Sequence, residues 1–361
     1  MIDVTSVRSS PNVMLALVVF VGGVCVSALL TALARRYAIR RELLDHPGQR
    51  RSHAVPTPRG GGIGPVLVLL GGGGLLAVSD LQSHLDFIVC LLGLAAVAGI
   101  GWLDDHRPLP ALLRLAMHLG AALAASIALI GIPHTLAQFV LIAATTGVIA
   151  GLVNAWNFMD GIDGIATSQA DLVACALLIG SWLVGAWLSD VWWNFALLLL
   201  AAALGFLPFN IPRARIFLGD VGSGALGFAV AVLLLRAVTV GGLPWPLAVL
   251  MVSAFLIDSG MTLLLRVLRG RAWWRPHREH LYQWLVRSGY THMRVTQGYA
   301  LWTLTAGVLA VASTHSGSVV GVMVSSTTLL SGGLLWIWFR NRLWIVARRR
   351  PRLRHPGRHR H

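Results

Sequence analysis

Eleven stretches of this chain are apolar for long enough to cross a bilayer, and that removes most folds from consideration. About 20 apolar residues span the hydrocarbon layer as a helix. With no water there to bond the backbone, each such run must satisfy its own amides. The runs lie near 12–34, 61–79, 85–103, 111–131, 136–156, 168–188, 193–209, 224–240, 246–265, 296–314 and 319–339. The sequence therefore predicts an all-α, polytopic integral membrane protein with about eleven transmembrane helices. The run near 193–209 is short, and Pro208 and Pro212 in LPFNIP are expected to break it. Composition agrees: only 12% of residues are charged, against roughly 25% in a soluble domain, and mean hydropathy is +0.72.

All 29 Lys+Arg residues are arginines, and they set an orientation. If residues 35–60, 104–110, 154–167, 210–223, 266–295 and the segment after Phe339 share one side, that side, counting its helix ends, holds every arginine except Arg8 and Arg236. The positive-inside bias makes it cytosolic, with the N-terminus outside and the C-terminus inside. Residues 1–339 then form one membrane-embedded domain, and 340–361 a basic cytosolic tail against anionic headgroups. Arg236, near the outer end of a span, is expected to snorkel to the interface. The net charge of +15 reflects this topology, so no nucleic-acid partner is expected. Cys25, Cys90 and Cys175 lie inside spans without metal-ligand spacing, which argues against a disulfide or a zinc site. Ala32 and Ala34 have the spacing of a signal cleavage site, but the run before them exceeds the roughly 7–15 residues of a signal core. It is expected to be a retained span.

Five of the 14 acidic residues stand where spans meet the cytosolic side. Asp104 and Asp105 close one run in GWLDDHRPLP. Adjacent carboxylates raise one another's proton affinity, which suits a general base, while one of the two can bind a metal. In NAWNFMDGIDGIA, Asn157, Asp160 and Asp163 recur every three residues, beside Gly161 and Gly164. Their oxygens suit a hard cation such as Mg²⁺ or the donors of a nucleoside. In IFLGDVGSG, Asp220 sits between glycines just before a helix, a place where free amides favour phosphate and the carboxylate favours a metal. The loop VPTPRGGGIG brings Arg59 next to Gly60 and Gly61, which permit close backbone approach. In RAWWRPHREHLYQWLVRSGYTH, Arg275, His277, Arg278 and His280 are able to grip a pyrophosphate. The interleaved Trp273, Trp274, Tyr282 and Trp284 read as an aromatic belt at the bilayer surface.

In order and spacing, DHPGQRRSHAVPTPRGGGIG, GWLDDHRPLP, NAWNFMDGIDGIA and IFLGDVGSG resemble the motifs of the polyprenyl-phosphate N-acetylhexosamine-1-phosphate transferase family, over roughly residues 45–285. The resemblance implies an enzyme of the bacterial inner membrane, with its active site on the cytosolic face. It would move a sugar-1-phosphate from a UDP-N-acetylhexosamine to undecaprenyl phosphate, with release of UMP. The implied cofactor is Mg²⁺, with Mn²⁺ as a substitute, and the family's homodimers make a homodimer one expected assembly. Carried over by motif position, Asp220 and Asn157 would hold the metal, and Asp104 or Asp105 would deprotonate or position the lipid phosphate. Asn154, Asp160 and Asp163 would shape the nucleotide site, His277, Arg278 and His280 would contact the pyrophosphate or sugar, and Arg59, Gly60 and Gly61 would form the phosphate- or lipid-binding loop.

The chemistry implied is in-line displacement at phosphorus, with direct attack by the lipid phosphate preferred over an aspartyl-phosphate route because that nucleophile is already an anion. The branch that builds peptidoglycan precursor, the MurNAc-pentapeptide phosphotransferases, carries a three-histidine run in the late loop and a lysine after its aspartate pair. Here the loop reads PHREHLYQWL, and Arg107 and Pro108 follow the aspartates. That favours the branch initiating O-antigen or enterobacterial-common-antigen chains. A transporter is the rival class, but it would place ionisable groups near mid-membrane. Asp258, in AFLIDSG, is the one carboxylate read as deep in a span.

Overall fold

The computed structural model describes residues 13–45, 56–78, 81, 84–184, 187–188, 190–272 and 277–349, which are almost wholly helical. In chain order they form α1 (Val13–Arg40), the two-residue strands β1 (Leu44–Asp45) and β2 (Thr57–Pro58), α2 (Ile63–Val78), α3 (Leu85–His106), α4 (Ala111–Ile130), α5 (Leu136–Met159) and α6 (Ile165–Val184). Then follow α7 (Asp190–Asn210), α8 (Gly219–Thr239), α9 (Trp245–Met251), α10 (Ser253–Leu268), α11 (Leu281–Arg287), α12 (His292–Ser313) and α13 (Gly317–Arg349). Among the described residues, nine helices are long and apolar enough to cross a membrane, and α9 with α10 makes a tenth crossing if the bent pair counts as one. The 16-residue α2 is shorter. The chain is an all-α, multi-pass membrane protein.

The bundle is organised around α8, which is buried along almost its whole length and packs against α3 and α5 above all. A helix hydrophobic all round belongs inside such a bundle. By contrast, α1 buries only Gly23, Ser27, Thr31 and Ala38. The first three recur every four residues, which gives one narrow seam of small side chains, and lipid-driven packing favours such seams. On that seam Ser27 Oγ donates to the Ala202 carbonyl of α7 at 2.6 Å.

Three expectations change. The run near 246–265 is not one straight helix: α9 and α10 meet at 81° around Val252. Ser253 is wholly buried and its Oγ accepts from Trp302 Nε1 at 2.9 Å. A break at membrane depth is tolerated where protein covers it. Pro208 does not end α7, which continues to Asn210. Finally, the span expected to stop at 339 runs on as helix to Arg349, so the first part of the supposed tail belongs to α13. Residues 350–361 lie outside the described residues, as do 46–55 and Arg8.

Arg236 does not rely on snorkelling alone. It pairs with Asp86 at 3.1 Å, and its guanidinium stacks over Trp192. Asp171 is a second carboxylate within a span, and its two oxygens are buried without a hydrogen-bond partner.

Candidate active site

Two glycine loops meet at the arginine-rich end of the bundle. The strands β1 and β2 pair antiparallel, which turns the chain back before α2. Phe217 N then donates to the Pro58 carbonyl at 2.8 Å, Gly61 N to the Phe217 carbonyl at 2.9 Å and Gly62 N to the Leu218 carbonyl at 2.8 Å. The proline and glycine loop is thereby tied to the segment that begins α8. Contact is too close for side chains: a Cβ on Gly62 would lie 2.7 Å from both Gly222 N and the Leu218 carbonyl oxygen. Gly60 has φ +86°, a backbone conformation that glycine adopts without strain.

Asp105 comes from the last turn of α3 and is only 5% exposed. Its carboxylate accepts from Asp220 N at 3.2 Å and from Val221 N at 3.1 Å, so it caps the first turn of α8 from another helix. Leu218, at the capping position itself, contributes no side-chain bond. Two amides that the sequence offered to phosphate are therefore already committed to Asp105. Arg59 donates to the Asp105 carbonyl, which fixes the loop to the same residue.

Asp104 faces differently. Its Oδ1 accepts from Leu109 N at 2.6 Å, and its Oδ2 lies 2.6 Å from Arg114 Nη1. That same nitrogen lies 2.9 Å from Asp220 Oδ2. Arg114, in the first turn of α4, was not singled out from sequence. The available signal was an arginine just inside an apolar run, nine residues after the aspartate pair.

The central motif closes the site. Asn157 Oδ1 accepts from the buried Ser223 Oγ at 2.5 Å, one helical turn beyond Asp220. Asp160 follows the last residue of α5. Burial, and then the charges of Asp220 and Asp105, push its carboxyl up to about 8. Asn154 points back along its own helix, donating to the Ala150 carbonyl at 2.7 Å. Asp163 fastens neighbouring segments: it pairs with His292 at 3.1 Å, accepts from Ala214 N at 3.3 Å, and its carbonyl accepts from Thr296 Oγ1 at 2.8 Å. Asn210, also missed from sequence, accepts from Gly164 N at 2.7 Å and donates to the Ile216 carbonyl at 3.0 Å.

The late loop docks beside this motif. Tyr282, buried, donates to the Phe158 carbonyl at 3.0 Å. His280 is 2% exposed, between Phe158 and Tyr282. Burial lowers its pKa, and burial with His280 and Arg266 nearby pushes His277 down to about 4. Glu279 anchors the loop through Arg266 at 2.6 Å and Arg271 at 3.0 Å. Burial opposes ionisation of Glu279, but these two guanidinium groups outweigh it and hold the carboxyl below its usual range. Arg340, placed by sequence in the tail, donates to the Glu279 carbonyl. Trp273, Trp274 and Arg275 lie outside the described residues.

Asp258 explains why the loop stays there. Its carboxylate accepts from Leu281 N at 2.7 Å, Tyr282 N at 3.3 Å, Tyr299 Oη at 2.7 Å, Trp336 Nε1 at 2.9 Å and Thr262 Oγ1 at 3.3 Å. It ties α10 to the start of α11, and to α12 and α13.

The donor set fits Mg²⁺. Asp104 and Asp220 converge on one cationic point, and their carboxylate oxygens are hard ligands. Among the described residues no three His, Cys, Asp or Glu side chains are grouped so as to hold a metal. Mg²⁺ commonly takes one or two carboxylates and completes its shell with phosphate oxygens and water.

Separate spans of this multi-pass bundle bring Asp104, Asp105, Asn157, Asp160 and Asp220 to one end, a set of oxygens whose chemistry suits a divalent cation and phosphate. Residues 87–238 match the sequence profile described as Glycosyl transferase family 4. The decaprenyl-phosphate N-acetylglucosaminephosphotransferase of Mycobacterium leprae is 30% identical, over 75% of this chain and 77% of its own. A probable undecaprenyl-phosphate N-acetylglucosaminyl 1-phosphate transferase of Bacillus subtilis is 26% identical, over 76% and 78%. The undecaprenyl-phosphate alpha-N-acetylglucosaminyl 1-phosphate transferase of Yersinia pestis is 26% identical, over 88% and 89%. This chain belongs to glycosyl transferase family 4, in its group of polyprenyl-phosphate N-acetylhexosamine-1-phosphate transferases.

Proposed function

We propose that the protein transfers an N-acetylhexosamine-1-phosphate from a UDP-sugar to undecaprenyl phosphate, releasing UMP. The reaction would take place on the cytosolic face of a bacterial inner membrane and initiate O-antigen or a related surface polysaccharide. The observation that carries this reading is the meeting of Asp104 and Asp220 on one cationic point, with Asn157 and Asp160 beside it. The relatives named above, each described as transferring N-acetylglucosamine phosphate, favour N-acetylglucosamine as the sugar.

Asp220 and Asn157 would hold Mg²⁺, which when bound would offset charge on the departing nucleotide. Asp105, committed to the first turn of α8, keeps Asp220 in place. Asp104, held by an arginine and one amide, is the freer member of the pair and is the better candidate to position the acceptor phosphate. Asp160 retains its proton at neutral pH and can donate it in a hydrogen bond to a phosphoryl oxygen. For the lipid, a cavity of about 380 Å³ runs between α1, α2 and α3, from Leu33 and Leu67 to Arg59, His106 and Asp105. Leu33 and Leu67 are exposed on the lipid-facing surface, so a prenyl chain has an apolar path toward the aspartates.

The test is purified protein with undecaprenyl phosphate, Mg²⁺ and a panel of UDP-N-acetylhexosamines, scored for UMP and lipid-linked product. Product with N-acetylglucosamine as donor, abolished by EDTA, is the expected result. Absence of UMP with every donor, in a folded preparation, would overturn the reading and favour transport.

A further inference from the structure

Arg114 stands in an unfavourable place for a cation. It is the fourth residue of α4, within the first turn, where the helix dipole is positive. What holds it is the pair of carboxylates, Asp104 Oδ2 at 2.6 Å and Asp220 Oδ2 at 2.9 Å, both on Nη1. Among the described residues it is the one basic side chain ion-paired with either aspartate. A divalent cation on Asp220 would share the carboxylate whose Oδ2 Arg114 now holds, and two cations on one carboxylate repel strongly in a partly buried site. Arg114 is 32% exposed and Asp220 36%, so the side chain has room to leave. An anion carrying more charge than one carboxylate is what would draw it away.

We propose that Arg114 is an internal cation that occupies the metal position, and that a nucleotide diphosphate displaces it, so that diphosphate and divalent cation bind cooperatively. This rests on the proposed assignment of Asp220 as a metal ligand. The phosphate oxygens complete the shell and at the same time give the guanidinium a bidentate partner. Coupling of this kind is reciprocal, so the metal must strengthen diphosphate binding by the same factor. Both carboxylates of an empty site would thus keep a cationic partner.

The experiment uses the full-length protein in detergent, without acceptor lipid, and measures Mn²⁺ binding by the loss of the free-ion electron paramagnetic resonance signal, with and without UDP. Arg114→Gln is expected to bind Mn²⁺ alone about tenfold more tightly than wild type, and UDP is expected to tighten Mn²⁺ binding to wild type far more than to the variant. Equal Mn²⁺ affinity in wild type and Arg114→Gln, with affinity lost in Asp220→Asn, would overturn the role of Arg114 and leave the metal site standing. Mn²⁺ affinity unchanged in Asp220→Asn would overturn the metal assignment and this proposal together. Should Arg114→Gln not purify as a monodisperse protein, Arg114→Lys is measured in its place. Lysine keeps the charge on a shorter stem, so it is expected to raise Mn²⁺ affinity less, about threefold, whereas no change would overturn the proposal.

Discussion

Asp258 and Asp220 are carboxylates at the same end of one bundle, but their surroundings separate structure from chemistry. Asp258 is 1% exposed and accepts five hydrogen bonds, from two backbone amides, two aromatic side chains and a threonine. Every one of those donors belongs to the folded protein and none is cationic. Asp220 is 36% exposed at its side chain, and it shares the Arg114 guanidinium with Asp104. A carboxylate saturated by fixed donors has no capacity left for a ligand. One held by a long, exchangeable side chain can trade that partner for a metal or a phosphate.

Substitutions at the two aspartates should therefore separate activity from stability. Asp220→Asn is expected to lower transfer by at least about 100-fold, with the protein still monodisperse by size exclusion. Turnover near wild type would break the comparison from the side of Asp220. For Asp258→Ala the expectation is loss of the fold, since each orphaned buried donor costs about 1–3 kcal/mol. Well-folded Asp258→Ala protein without activity would move Asp258 into the chemistry.

Gly101→Ala sharpens the same contrast at a backbone contact. A Cβ there would lie 2.6 Å from the Asp220 carbonyl carbon and 2.7 Å from Val221 N, so α3 and α8 must separate. Overpacking of this kind costs about 1–3 kcal/mol. The thermal midpoint and turnover should fall together, because the contact also sets the position of Asp220. A loss of stability with turnover intact would show that the site tolerates the shift.

The smallest effect is on pH dependence. Asp160 is pushed up to about 8 in the fold, from an ordinary 3.8. Between those values the native state binds the extra proton, so raising the pH through this window lowers stability. His277 acts in the other direction lower down: it is pushed down to about 4 from 6.5, so stability rises as pH climbs through that interval. Above pH 6.5 the His277 contribution no longer changes, whereas that of Asp160 still declines. The thermal midpoint should decline from pH 6.5 to 8 in wild type and stay flatter in Asp160→Asn. Equal slopes would remove Asp160 as the cause.

Much of this was legible in the chain. Hydropathy located every apolar run, and the arginine distribution marked one end as distinct. The spacing of DDHRPLP, NFMDGIDG and FLGDVGSG marked the acidic residues that converge there. What escaped was of two kinds. The 81° bend between α9 and α10 falls at Val252 and Ser253, beside neither proline nor glycine, and Ser253 is held there by Trp302 from a distant helix. Arg114 looked like an ordinary arginine at a span end, because its partner Asp220 is 106 residues away.

The sequence by itself determined the fold class, the membrane setting and the family. Apolar length, helix satisfaction of the backbone and motif spacing are properties of short segments. Only the tertiary structure decided what each polar residue does. Asp105 caps α8, Asp163 and Asp258 fasten loops, and Asp104 and Asp220 share the Arg114 guanidinium. The physical reason is that the role of a carboxylate is set by the donors around it, and here most of those donors come from helices far away in the chain.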